Sequence, residues 1–103
     1  MGRAQRAAAE VTYLVECFWP GVTRAAHEAA DRRVRHASEQ LEPDLGPLLY
    51  LGSLLVPEDE VLFLQFDAAD AEVCRTVAMR AGIEAERVVQ TVGLGGGDRQ
   101  ARP

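Results

Sequence analysis

The sequence predicts an α+β domain in which two helices cover one face of a four-stranded antiparallel sheet. Three observations predict it. Four apolar runs, Val11–Phe18, Leu48–Val56, Val61–Phe66 and Arg87–Val92, have the length and content of strands. An Ala/Arg-rich stretch of helical period lies between the first and second runs, and a shorter one between the third and fourth. The second and third runs are joined only by Pro57-Glu58-Asp59-Glu60, a charged hairpin tip built on ordinary turn residues. The resulting order, βαββαβ, is the split βαβ or ferredoxin-like arrangement. That fold hosts many unrelated functions, so it constrains architecture more than chemistry.

Each element has its own reason. In the first strand Tyr13, Val15 and Cys17 share one face and Leu14, Glu16 and Phe18 the other. The first helix follows the turn Pro20-Gly21, with Thr23 as N-cap. Ala26, Ala30, Val34, Ala37 and Leu41 form its apolar stripe, and Pro43 and Gly46 are expected to end it. Arg24, Glu28, Arg32, Arg33, Arg35 and Glu39 make up its solvated side. In the third strand Val61, Phe63 and Gln65 oppose Leu62, Leu64 and Phe66. Asp70 caps the second helix, Glu72 complements its dipole, and Gly82 stops it. Its buried face is Val73, Val77 and Ala81, with Cys74 and Ala78 beside them. Because the central strands are apolar on both faces, the uncovered face calls for a second copy of the sheet, and a homodimer is expected.

Composition narrows the function classes. A net charge of −5, with no basic patch interleaved with aromatics, argues against a nucleic-acid partner. The apolar runs are shorter than ten residues, too short to span a bilayer, so no membrane partner is expected. Met1–Glu10 has no apolar core of a secretory signal, and Cys17 and Cys74 belong to no CxxC pair. They read as free buried thiols in a reducing compartment, and a cytoplasmic location is expected. Residues 1–10 read as a flexible arm, 11–94 as the folded domain, and the glycine-rich 95–103 as a disordered tail. The run Gly93-Leu94-Gly95-Gly96-Gly97 is no phosphate loop, since no Lys-Ser/Thr pair and no helix follow it.

The stretches Tyr13–Gly21, Tyr50–Val56, Val61–Phe66, Ala71–Arg75, Ala81–Ile83 and Arg87–Val89 together resemble a family of small uncharacterised bacterial proteins. The resemblance implies a ferredoxin-like fold assembled as in dimeric α/β-barrel proteins. It also implies nickel(II) as a ligand, since one actinobacterial member is described as nickel-binding. Members often carry His just before the serine of the second strand; this chain has Gly52 before Ser53.

Nickel favours imidazole and carboxylate ligands. The candidates are His27 and Asp31, four apart on one face of the first helix, and His36. His27 and His36 are nine positions apart, about 180° around the helix, so they cannot serve one ion within one chain. The plainer reading makes both histidines helix-surface residues, with His27 and Asp31 as a pair. Barrel relatives of this shape also include cofactor-independent isomerases, cyclases and monooxygenases acting on small hydrophobic molecules. For such an enzyme Glu16, a mid-strand carboxylate, is the acid–base candidate. Tyr50 would share its pocket, with Tyr13, Trp19, Ser53 and Gln65 nearby. The plainer alternative for Glu16 is a salt bridge to Arg87 at a dimer interface, and for Trp19 and Tyr50 it is core or interface filling. Three functions therefore stand open at this level. The leading one is a small dimeric ligand-binding protein, with nickel as the implied ion; the others are a cofactor-independent enzyme and a structural or protein-interaction module.

Overall fold

Residues 11–92 are described by a computed structural model. The expected arm at 1–10 and tail at 95–103 lie outside these residues. The elements run β1 (Thr12–Phe18), α1 (Arg24–Leu45), β2 (Leu48–Val56), β3 (Val61–Ala68), α2 (Ala71–Arg80) and β4 (Arg87–Gln90). The sheet order is β2-β3-β1-β4 with every pairing antiparallel, and this is the ferredoxin-like α+β fold. None of the described helices is long and apolar enough to cross a membrane.

The two-residue period of β1 and β3 decides what is buried. Tyr13, Val15 and Cys17 of β1 and Leu62, Leu64, Phe66 and Ala68 of β3 face the helices and are buried. From α1 they meet Ala30, Val34, Ala37 and Leu41, and from α2 Val73, Cys74, Val77 and Ala78. Small residues dominate the helix stripes and allow a close approach to the sheet. Arg33 Nε donates to the Ala81 carbonyl at 2.9 Å, tying the middle of α1 to the end of α2.

The helix ends follow local rules. Thr23 Oγ1 accepts from the Ala26 amide at 3.1 Å, and Asp70 Oδ1 accepts from the Val73 amide at 3.1 Å. After α2, Gly82 adopts φ 79°; its amide donates to Met79 O, and that of Ile83 to Ala78 O. This is the Schellman stop. Pro43 does not end α1 as expected but sits inside its last turn. Its ring costs one amide bond there, and its fixed φ is itself helical. Gly46 makes the stop instead, with φ 85° and its amide donating to Glu42 O.

The hairpin tip is a short 3₁₀ turn, Pro57–Asp59, closed by Glu60 at φ 56°. Glu60 O accepts from the Trp19 amide at 2.7 Å, and its carboxylate from the Gly21 amide at 3.3 Å. The tip therefore anchors the β1–α1 turn just before α1 begins. Cys17 and Cys74 are free and buried. Burial first, then nearby carboxylates (Glu86 and Glu16 for Cys17, Asp70 for Cys74), pushes each thiol up to about 12.

Candidate functional site

Asp31 is the centre of the site. It lies on α1 on the side turned toward the edge strand β2, one turn beyond His27. Its Oδ1 accepts from the Tyr50 hydroxyl at 2.5 Å and from Ser53 Oγ at 3.2 Å. Its Oδ2 accepts from Arg35 at 3.1 Å. His27 Nε2 lies 2.8 Å from Ser53 Oγ, so one chain of contacts joins His27, Ser53, Asp31 and Tyr50. The Arg35 guanidinium also sits 5.2 Å from the centre of the Tyr50 ring, within cation–π range. Tyr50 in turn packs on Phe66, centroid to centroid 5.2 Å.

A β-bulge makes this cluster. Tyr50 and Ser53 are three positions apart, so a regular strand would send them to opposite faces. In β2, Tyr50 pairs with Phe66 but Gly52 pairs with Gln65, and Leu51 is the extra residue. The bulge resets the alternation, and Ser53 comes back to the helix face opposite Leu64. Gly52 takes φ 129°, a backbone region that favours glycine. Position 52, where the resembled family often carries His, therefore pairs with Gln65 on the outer face, away from His27.

The carboxyl of Asp31 feels opposing effects. Burial raises its pKa, but the hydrogen bonds from Tyr50, Arg35 and Ser53 and the Arg35 charge outweigh it. It is held below the ordinary aspartate value, as a carboxylate. Tyr50 is pushed up, by burial first and then by its bond to Asp31, so its hydroxyl stays a donor. Beside the cluster opens a cleft of about 360 Å³ lined by His27, Glu28, Asp31, Arg32 and Ser53. Every lining residue is polar or charged.

The structure brings His27, Asp31, Tyr50 and Ser53 together and leaves the remaining candidates apart. His36 is exposed on α1 and outside the cleft. Among the described residues no three His, Cys, Asp or Glu side chains are grouped to hold a metal ion. Glu16 and Tyr50 do not share a pocket. The parity of β1 puts Glu16 on the outer face, whereas Tyr50 faces α1. Glu16 Oε1 instead accepts from Arg87 at 2.6 Å. Tyr13 is buried under the helices, Gln65 stands half-buried on the outer face, and Trp19 is half-buried against the core edge. Glu28, Arg32 and Arg35 are site residues that the reading of α1 as a solvated face passed over. The signal for Arg35 was its i,i+4 spacing from Asp31.

No family model matches the chain, and no curated protein does. A solved structure that it resembles is the crystal structure of SCO4226 from Streptomyces coelicolor A3(2). The TM-score is 0.63 at 16% identity, covering 82% of this chain and 99% of that one. At that identity the likeness shows a shared fold.

Proposed function

We infer that this chain is a homodimeric binding protein for a small polar ligand, with the cleft between α1 and β2 as its site. The observation that supports the site is the convergence of His27, Ser53, Asp31 and Tyr50 beside an open cleft to which Glu28 and Arg32 also contribute. The cleft is largely open to solvent. The support for the dimer is the outer sheet face, where Phe18, Leu49, Leu51 and Leu54 are 44–56% exposed.

Nickel, the ion the resemblance implies, does not fit this donor set within one chain. Both oxygens of Asp31 are taken by Tyr50, Ser53 and Arg35, and His36 points elsewhere on α1. The enzyme reading loses its chemistry with the separation of Glu16, on the outer face, from Tyr50, on the helix face.

The test is amide NMR on the isotope-labelled full chain. It is titrated in turn with nickel(II) chloride, ethanolamine hydrochloride, sodium malonate and sodium phosphate. The expected result is saturable movement of the His27, Glu28, Arg32 and Ser53 amides with at least one probe, while α2 stays still. If no probe moves them, the cluster is a structural seam and the ligand-binding reading fails.

A further inference from the structure

Once each acid of the cleft is matched with its own arginine, one strong cation is left over. Asp31 pairs with Arg35 at 3.1 Å and Glu28 with Arg24 at 3.2 Å. Arg33 is used at Ala81 O. Arg32 lines the same cleft and is exposed, and among the described residues it makes no salt bridge. The local charge is also unlike that of the whole. From 24 to 36 the chain sets Arg24, Arg32, Arg33 and Arg35 against Glu28 and Asp31, in a protein of net charge −5.

A guanidinium has five donors and no acceptor, and its fork matches two oxygens of a carboxylate or a phosphate. His27 offers a second contact. Its Nε2 is engaged with Ser53 Oγ, so Nδ1 is the ring atom left for a ligand. Ser53 has one hydroxyl proton and two acceptors within reach, Asp31 Oδ1 and His27 Nε2. When that proton turns to Nε2, the ring proton stands on Nδ1 as a donor, and an imidazolium presents the same donor. Asp31 keeps Tyr50 and Arg35 in either case, so nothing buried loses its partner.

We propose that the cleft binds a small oxyanion, a carboxylate or a phosphate, with Arg32 as its charge partner and His27 as a second hydrogen-bond donor. Ser53 positions His27 and does not touch the bound group through chemistry of its own, while Asp31 holds α1 to β2 through Tyr50. Ser53 is no nucleophile in this arrangement, because the carboxylate sits behind its hydroxyl and not behind the imidazole. The proposal rests on the cleft being a ligand site and adds the class of ligand.

The experiment is calorimetry with sodium phosphate and with sodium malonate at low ionic strength, with sodium chloride as the matched control. It uses the wild-type chain, Arg32→Gln, and Arg75→Gln on the exposed side of α2. At least one oxyanion should bind the wild type. Arg32→Gln should weaken it about tenfold or more, equivalent to about 1.4 kcal/mol, with Arg75→Gln unchanged. Binding of phosphate alone or malonate alone assigns the group within the class. Equal weakening by both variants would reduce the effect to general charge and overturn the proposal. If neither oxyanion binds while nickel or ethanolamine moves the cleft amides, the site stands and the oxyanion assignment falls. If no probe moves them, both fall.

Discussion

Asp31 is where the chemistry of single residues decides most. It joins a helix to an edge strand through Tyr50 and Ser53, and Arg35 stands over the same contact. Hydrogen bonds to a charged group contribute about 1.5–3 kcal/mol when partly buried. Asp31→Asn keeps an oxygen for the two hydroxyls and removes the charge, so it should cost about 1–2 kcal/mol near neutral pH. The folded-state pKa of Asp31 lies below its ordinary value. A depressed carboxyl contributes stability that is fully present above its unfolded pKa, about 3.9, and is lost as pH falls through the folded one. The gap between wild type and Asp31→Asn should therefore hold from neutral pH down to about pH 5 and close below about pH 4. Urea melts of both proteins across that range measure it. A gap that stays constant into acid would show that the charge of Asp31 plays no part.

At the scale of elements, β2 carries the unusual feature. Its bulge at Leu51 places Tyr50 and Ser53 on one face, and Gly52 at φ 129° permits it. A Cβ at position 52 would meet nothing within 4 Å, so Gly52→Ala tests the backbone alone. Holding a non-glycine residue in such a region costs about 1–3 kcal/mol. We expect a loss of that order in chemical denaturation, together with changed His27 ring shifts as β2 relaxes its bulge and Ser53 moves. Unchanged stability would mean that β2 reaches Asp31 without the bulge. The same element explains what was legible beforehand. The strand faces of β1 and β3 and both helix caps depend on period and on side chains a turn away, and the sequence carries those directly. A bulge changes parity, and only Gly52 inside an apolar run hinted at it. The pairing of Glu16 with Arg87 was foreseeable as an alternative, and the structure has it at 2.6 Å. The pocket of Glu16 with Tyr50 fails because the two side chains stand on opposite faces of the sheet, on strands separated by β3. Pro43 misled in the opposite direction, since a last helical turn tolerates proline.

For the whole molecule, the two faces of the sheet differ in their cover. The helices bury one, and the other presents Leu54, Phe63, Glu16 and Arg87 in one row across the strands. The next row holds Gly52, Gln65, Leu14 and Val89, and Val56, Val61 and Phe18 form the third. Among the described residues nothing covers these rows. Phe18 at 56% and Leu54 at 55% exposure are large side chains left in water. Burying each against a second copy would return about 1.5–3 kcal/mol. The Glu16–Arg87 pair within these rows would travel into such an interface already matched, which avoids the cost of an unpaired buried charge. Sedimentation at micromolar concentration should thus give a mass near twice 11.2 kDa. Leu54→Asp places a charge in the first row without touching the helix-side core, because Leu54 lies on the outer face opposite Phe63. It should yield a folded monomer with the helical signal of the wild type, and Leu54→Met should remain dimeric. A wild type that sediments as a monomer would leave this face open to water and remove the dimer from the proposal. The cleft lies on the helix side, so oxyanion binding by monomeric Leu54→Asp should match that of the wild type. Loss of binding on dissociation would place part of the site in the partner subunit.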